Sequence, residues 1–366
     1  MSHPPVEGSP AADPLVSLLI PNRNNESVIE LTLERLVANT TYPSVELIVI
    51  DDGSTDGSLE ILRRWRDSGR FASFTLLERE HGGVVDALNA GLHAASGEVV
   101  VQLDADATVE SAGWVERMLA LLLSDERVGV VTAKVVFDYG LVQACGVNVV
   151  GPEGVHDRPT QITERTGTRT WHARAEHYPE GTRPEERSVA EVDSGIGCCM
   201  MYRRADALAV GGYDLAFSPL WFDDLDLCIA IRGLGKKVFF TPEVRVVHRI
   251  GIRRRQPIEP RNMREWALQR SWRVGVGVAG LVPPITRARL KRRVGADRPR
   301  PEHRDRLAHH YAYWQEKWGW HPLNPDMDEL IGRHGHTEIC WASDPGRRAA
   351  GREIAQQFEH GLASVA

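Results

Sequence analysis

The sequence lacks a long apolar run, and its charges show no excess of basic residues. The most apolar late stretch, VGVGVAGLVPPI at 274–285, is too short to cross a bilayer and ends in two prolines. Lysine and arginine together number 44 against 50 acidic residues, which gives a formal net charge of −6. These features exclude a transmembrane protein and disfavour general nucleic-acid binding, but they leave a peripheral membrane contact open.

The sequence also shows no cysteine-pairing motif and no pattern of a leader sequence. The five cysteines form no CxxC motif and their number is odd, so we expect reduced thiols rather than a disulfide framework. The first residues, MSHPPVEGSPAADP, have neither a basic segment nor an apolar segment of a signal peptide. They predict a disordered tail over residues 1–14 of a cytoplasmic protein.

Apolar strand-like runs alternate with helical patterns in the first half of the chain. A composition of 42% hydrophobic and 26% charged residues is typical of a globular protein, and 366 residues suffice for one large or two ordinary domains. This alternation predicts an α/β fold with a mostly parallel sheet flanked by helices, and ligands in such sheets bind beyond the carboxyl ends of the strands. The four predicted strands are LVSLLI (15–20), VELIVI (45–50), FTLLE (74–78) and EVVVQL (98–103).

The pattern loosens after residue 127, where a polar stretch at 151–190 predicts a long loop. Two later strand-like runs, GIGCCMMYRR and KKVFFTPEVRVVH, enclose the helical pattern DDLDLCIAIRGLG. Beyond residue 250 the sequence becomes Arg-rich and helical, with several tryptophans. We therefore place a boundary near residue 250, between a domain over 15–250 and a mainly helical region over 251–366.

Two aspartates one residue apart, Asp104 and Asp106, follow the fourth strand. Carboxylates at a strand end can hold Mg²⁺ or Mn²⁺, whose remaining ligands are often substrate phosphates. Alternatively, the pair only closes a turn or caps a helix. The tripeptide alone is weak evidence, because DxD also occurs at 224–226 and 326–328.

Four motifs in a fixed order make the signal specific. They are LLIPNRNNE, IVIDDGSTDGS, HGGVVDALNAG with the following VVVQLDADA, and WFDDLDLC with the following VRVVH. Together they resemble a family 2 glycosyltransferase of the GT-A fold over about residues 15–250. The resemblance implies a nucleotide-sugar site made by Pro21, Asn22, Arg23, Asn24, Glu26, Asp51, Asp52, Gly82, Gly83, Asp86, Asn89, Asp104, Ala105 and Asp106.

Within this set the resemblance implies particular roles. Asp52, with Asp51 beside it, would hydrogen-bond the nucleobase, while Asp104 and Asp106 with His248 would hold Mn²⁺ or Mg²⁺. For His248 a local hydrogen bond is the alternative. The chain departs from similar sequences where Val84 replaces a lysine, His81 an asparagine and Leu88 an arginine, so a cationic contact to the diphosphate has to come from elsewhere.

The acidic stretch WFDDLDLC resembles the family's catalytic segment, with Asp223 in place of a glutamate. By that match Asp224 is the candidate general base and Asp223 a weaker candidate. The Asp224 carboxylate would take the proton of an acceptor hydroxyl in a single displacement with inversion. The alternative is an acidic cluster that only stabilises a helix N-terminus.

The resemblance thus makes 15–250 a nucleotide-sugar-binding and catalytic domain, and it leaves acceptor binding or oligomerisation for the helical region over 251–366, whose features are less specific. The basic runs near 253–255 and 286–293 fit a phosphate, an anionic lipid or, more simply, a solvated helix face. An aromatic cluster fits packing or stacking on a sugar, and packing is the simpler interpretation. Its members are Tyr311, Tyr313, Trp314, Trp318 and Trp320.

The sequence thus predicts an inverting, metal-dependent enzyme that moves one sugar from a nucleotide-diphosphate sugar to the hydroxyl of a small molecule, peptide or glycan. The QxxRW signature of processive synthases is absent, which favours a single transfer. A sugar-1-phosphate nucleotidyltransferase and a non-catalytic scaffold of the same fold are the alternatives. PNRNNES has no glycine where a nucleotidyltransferase would carry a phosphate loop. A homo-oligomer is compatible with the sequence, which does not identify the sugar, base or acceptor.

Overall fold

A computed structural model of the chain describes residues 13–138, 140–147, 180–182, 184–249, 301–319 and 348–365. Residues 1–12 of the predicted tail, most of the predicted loop at 151–190, the basic runs beyond residue 250 and Trp320 lie outside these residues.

The strands and helices begin and end as follows. The strands are β1 (Val16–Asn22), β2 (Val45–Asp52), β3 (Phe74–Arg79), β4 (Val99–Leu103), β5 (Ala107–Val109), β6 (Val128–Phe137), β7 (Val142–Ala144), β8 (Ala190–Val192), β9 (Cys199–Arg203) and β10 (Lys237–His248). The helices are α1 (Ile29–Asn39), α2 (Ser58–Asp67), α3 (Val84–Ala94), α4 (Trp114–Leu123), α5 (Arg204–Ala209), α6 (Asp223–Gly233), α7 (Pro301–Trp318) and α8 (Arg348–Val365).

These strands form one sheet in the order β3-β2-β1-β4-β9-β6-β10-β5, with β7 beside β6 and β8 beside β10. The predicted α/β fold is confirmed, and its parallel arrangement holds for β1 to β4. The second half is mixed, because β9 runs antiparallel to both β4 and β6. The turn between β6 and β7 is too short for a parallel crossover, so that pair is antiparallel as well.

Helices cover both faces of the sheet, and the strands are accordingly apolar on both sides. Along β1, Leu18 and Ile20 join the apolar cluster on one face, while Leu19 joins the cluster on the other. This alternation follows from the two-residue period of a strand. Ile354 and Ala355 of α8 lie in the first of these clusters, so the C-terminal helix packs on the sheet.

Helix α7 packs on the segment that leads into α6. Trp314 is fully buried against Phe217 and Phe222, with ring centroids 5.8 and 5.5 Å away. Packing is therefore the role of this tryptophan. None of the described helices is both long enough and apolar enough to cross a bilayer.

The parallel strands bring the predicted acidic residues to one edge. In the β1–β2 register Asn22 lies opposite Asp51, so both loops begin at the same level. Asp104 follows the last residue of β4, which is parallel to β1. The carboxyl ends of β1, β2 and β4 therefore meet at the edge where ligands bind in open α/β sheets.

Candidate active site

The loops after β1 and β2 are tied together by polar side chains. Asp51 accepts hydrogen bonds from Asn22 Nδ2 at 2.8 Å and from the Ser54 hydroxyl at 2.6 Å. Asn24 has a left-handed backbone (φ 53°), and its side-chain oxygen accepts from the Thr55 amide at 2.7 Å. These contacts join the two loops into a rim at the edge of the sheet, and Pro21 and Arg23 belong to the same rim.

Glu26 and Asp56 add a second reciprocal contact between the same two loops. A Glu26 carboxylate oxygen accepts from the Gly57 amide at 3.1 Å, and the Glu26 amide donates to Asp56 at 3.1 Å. The predicted nucleotide contacts of Asn22, Asn24, Glu26 and Asp51 remain predictions. Within the chain these side chains hold the rim in one shape.

The carboxylate of Asp52 binds the loop that precedes α3. Its oxygens accept from the amides of Gly82 at 2.7 Å and Gly83 at 3.1 Å, and one of them lies 2.7 Å from His81 Nδ1. The Asp52 side chain is only 5% exposed, whereas that of His81 is 44% exposed. The sequence did not predict this contact, although it flagged His81 as a departure. The predicted role of Asp52 at the nucleobase stays a prediction.

Gly83 permits a close approach between this loop and the segment before α6. Its φ is +100°, and a Cβ at this position would lie 2.6 Å from Pro219. The Val84 amide donates to the Pro219 carbonyl at 2.9 Å. Only glycine fits here, because a side chain would combine strained dihedral angles with a steric clash.

Two predicted residues on α3 contact the protein itself. The Asp86 carboxylate pairs with Arg79 at 2.6 Å. Asn89 donates to the Tyr213 carbonyl at 2.7 Å and accepts from the Tyr213 amide at 2.9 Å. Asn89 thereby fixes the segment that leads towards α6. The nucleotide contacts expected of these two residues stay predictions.

A second group of polar atoms lies between β4 and the end of β10. His248 Nε2 is 3.2 Å from Asp106 Oδ1 and 3.7 Å from Asp104 Oδ2, while His248 Nδ1 is 2.8 Å from Gln143 Oε1. If Nδ1 donates to Gln143, Nε2 faces the two carboxylates with its lone pair. A proton or a bound cation between these groups would remove the repulsion between their lone pairs.

The donors in this group fit the predicted metal. Two carboxylates and one imidazole are ligands that Mn²⁺ accepts, and the carboxylates suit Mg²⁺. Ala105, between the two aspartates, is buried, and its carbonyl accepts from Thr32 Oγ1 at 2.9 Å. The turn that carries Asp104 and Asp106 is thus attached to α1.

Cys198 is the residue of this group that the sequence did not identify. Its sulfur, a carboxylate oxygen of Asp104 and a ring nitrogen of His248 all lie within 4.8 Å of one another. Burial, together with the charge of Asp104, raises the pKa of the Cys198 thiol well above its ordinary value. No motif marks this cysteine, and only the pairing of β4 with β9 brings it beside Asp104.

The acids of WFDDLDLC lie in the first turn of α6. Asp224 accepts at one oxygen from the Gly197 amide and at the other from the Leu225 amide, both at 2.8 Å. Burial raises the pKa of Asp224. Burial and the adjacent Asp224 also raise the pKa of Asp223, and the charge of Asp104 adds to that effect.

Asp226 has a different environment from its two neighbours. Its carboxylate oxygens accept from Lys317 Nζ and from the Trp318 indole, each at 2.8 Å. Asp226 is 1% exposed, and its contacts attach α7 to α6. It therefore serves the packing of the C-terminal region.

One short loop contacts both acidic groups. The Asp104 amide donates to the Cys198 carbonyl at 3.1 Å, and the neighbouring Gly197 amide donates to Asp224 at 2.8 Å. Asp104 and Asp224 thus border adjacent residues of the loop that enters β9. The structure therefore places Asp104, one of the possible metal ligands, and the partly buried Asp224 carboxylate against the same loop, 197–198.

Comparisons with known proteins show which family and which fold this chain resembles. Residues 17–208 match the sequence model of glycosyl transferase family 2. The uncharacterised protein y4gI of Sinorhizobium fredii is 30% identical over 67% of this chain and 25% of its own length. The O-antigen biosynthesis protein RfbC of Myxococcus xanthus is 27% identical over 70% of this chain and 18% of its own length.

The chain thus spans a quarter or less of these two relatives. Among solved structures, GalNAc-T7 with UDP, GalNAc and Mn²⁺ superimposes with a TM-score of 0.50 at 19% identity, over 64% of this chain and 44% of that one. At this level of identity the likeness concerns the fold.

Proposed function

Because the chain belongs to glycosyl transferase family 2 and has the predicted GT-A fold, we propose that it is an inverting, metal-dependent glycosyltransferase. It would move one sugar from a nucleotide-diphosphate sugar to an acceptor hydroxyl. The carrying observation is the loop 197–198, which contacts Asp104 on one side and Asp224 on the other.

In this proposal the donor lies at the carboxyl ends of β1, β2 and β4. The predicted residues at the ends of β1 and β2 would surround the nucleoside, and Gly82 and Gly83 would admit the diphosphate close to the backbone. These rim residues are Pro21, Asn22, Arg23, Asn24, Glu26, Asp51 and Asp52. Asp104, Asp106 and His248 would hold Mn²⁺ or Mg²⁺. When bound, the cation would neutralise charge on the departing nucleoside diphosphate.

Asp224 would act as the general base. Its two N–H donors orient the carboxylate and leave lone pairs for an acceptor hydroxyl. The acceptor oxygen forms a bond to the anomeric carbon while the bond to the diphosphate breaks, and the hydroxyl proton passes to Asp224. A carboxylate with a raised pKa holds that proton more strongly than an ordinary one.

The proposal is tested with two variants and a screen of donors. Uridine, thymidine and guanosine diphosphates with Mn²⁺ are first compared by thermal shift, because a ligand that binds only the folded form raises the melting temperature. Nucleotide sugars that carry the nucleobase identified in this way are then assayed for sugar transfer. Asp224→Asn should retain nucleotide binding and lose about 10²- to 10⁴-fold in turnover, whereas Asp106→Ala should lose metal-dependent nucleotide binding.

The matched control is Asp125→Asn, which removes a carboxylate that pairs with Arg127 on a surface turn. Its turnover and nucleotide binding should stay near those of the unmodified protein. Near-normal turnover of both Asp224→Asn and Asp106→Ala would refute the assigned roles. Release of pyrophosphate from a nucleoside triphosphate would favour a nucleotidyltransferase instead.

A further inference from the structure

The sulfur of Cys198 makes a second, softer donor set at the candidate metal site. Cys198 is 3% exposed, and its sulfur lies within 4.8 Å of ligand atoms of Asp104 and His248. A tetrahedral zinc site with S, N and O ligands places those atoms about 3.4 to 3.7 Å apart, as its bond lengths require. Side-chain movements of about 1 Å therefore suffice to close the three groups around an ion.

The backbone holds these three side chains together. Strands β4 and β9 pair with Leu103 opposite Cys199, and the Asp104 amide donates to the Cys198 carbonyl. On the other side, His248 lies opposite Ala107 in the β5–β10 pair, and Gln143 contacts its Nδ1. Its Nε2 is the nitrogen that lies near the two carboxylates.

These side chains thus form two overlapping sets of metal ligands, and both sets include Asp104 and His248. Asp106 completes a hard set of oxygen and nitrogen donors, which suits Mn²⁺ or Mg²⁺. Cys198 completes a set with sulfur, which suits Zn²⁺ and Co²⁺ far better than Mg²⁺. The shared ligands mean that the two sets cannot hold separate ions at the same time.

We propose that Asp104, Cys198 and His248 bind a thiophilic divalent cation, Zn²⁺ above all, and that this ion displaces the hard ion used for transfer. The thiol proton passes to solvent when the sulfur binds the metal. The binding stands on the cluster alone, whereas the competition rests on the proposed function.

Cobalt is the probe, because a Co²⁺–thiolate bond gives an intense near-ultraviolet charge-transfer band. The full chain is stripped of metal, titrated with Co²⁺ and then with Zn²⁺. We expect the band to saturate at one Co²⁺ per chain and to disappear on addition of one equivalent of Zn²⁺. Cys198→Ser should lack the band, and the matched control Cys199→Ala should keep it, since Cys199 is equally buried and is not part of the cluster.

His248→Gln gives a second variant in which the cysteine is intact, and its Co²⁺ affinity should fall at least tenfold. Circular dichroism verifies that each variant is folded. A missing band in the unmodified protein, or an equal band in Cys198→Ser, overturns the proposal. If the band depends on Cys198 but no nucleoside diphosphate binds with Mn²⁺, the zinc site stands and the proposed transferase function fails.

Discussion

At the scale of single residues, the candidate site combines carboxylates in different environments. Asp52 accepts several hydrogen bonds from its own chain, Asp104 and Asp106 lie near an imidazole, and Asp224 is partly buried with two amide donors. The same side chain is suited to different tasks in these surroundings, because burial, charge and hydrogen bonding each shift its proton affinity.

The pH dependence of catalysis tests the role of Asp224 as the base. Because burial raises the pKa of Asp224 above the ordinary 3.8, its base form is lost as pH falls through that raised value. The acid limb of kcat/KM should therefore lie above the ordinary aspartate range. The pKa of Asp223 is raised to about 8 by burial and by the charge of Asp224, so Asp223 is still neutral at the pH where Asp224 titrates. Asp223→Asn should therefore leave the acid limb in place and remove any change in rate that ionisation of Asp223 causes near pH 8, as a pH–rate profile at saturating metal would measure.

Circular dichroism at each pH separates titration of the site from unfolding. Asp67, an exposed aspartate paired with Arg66, provides the control: Asp67→Asn should leave the whole pH–rate profile unchanged. An acid limb that moves to lower pH in Asp223→Asn would contradict this order of titration, because it would mean that Asp223 is already charged when Asp224 titrates.

At the scale of elements, the loop before α3 joins two parts of the site. It is held by Asp52 at the end of β2 and packs against Pro219, just before α6. The conformation of this loop therefore affects the donor rim and the acidic helix together.

Gly83→Ala tests that connection. The new methyl group would combine a φ of +100° with an approach of 2.6 Å to Pro219, so we expect a loss of about 2 to 4 kcal/mol in unfolding free energy. Nucleotide binding should weaken as well. Urea unfolding and thermal shift measure the two effects.

Gly211→Ala is the matched control, because Gly211 has a φ of +91° and a Cβ added there would meet nothing within 4 Å. It should lose only the cost of the left-handed backbone, about 1 kcal/mol. Equal losses in the two variants would show that contact with Pro219 contributes nothing.

At the scale of the whole molecule, the C-terminal helices pack back on the sheet domain. Helix α8 contributes to an apolar cluster of the sheet, and α7 covers the segment between α5 and α6. Lys317 joins α7 to α6 and to the segment before α6, because its amine contacts Asp214 at 2.7 Å and Asp226 at 2.8 Å. The predicted domain boundary near residue 250 stays a prediction.

Lys317→Met should therefore destabilise the protein. The Asp226 side chain is 2% exposed and, among the described residues, would keep only the Trp318 indole as a partner. Breaking a buried ion pair by removing one partner costs about 3 to 5 kcal/mol, and we expect about 3 kcal/mol because the lysine is partly solvated. Urea unfolding gives the value.

The control is Lys236→Met, which removes a half-buried lysine whose exposed amine donates to the Glu126 carbonyl. Its unfolding free energy should change by less than about 0.5 kcal/mol. A Lys317→Met variant as stable as this control would show that the ion pair does not attach α7.

The sequence by itself determined the local elements and the acids that they carry. Strand β1 is buried throughout and mostly apolar because both of its faces are covered, and Asp104 and Asp224 lie in short motifs that are recognisable without their neighbours in space. Such features depend on residues a few positions apart, so a linear pattern contains them.

Only the tertiary structure decided which distant groups meet. Cys198 joins Asp104 and His248 because β9 lies between β4 and β6, and Lys317 reaches Asp226 across 91 positions. Strand order and helix docking follow from the burial of whole apolar faces, which no short motif encodes. For that reason the sequence named the carboxylates, while the fold supplied the thiol, the glutamine behind the histidine and the lysine that attaches α7.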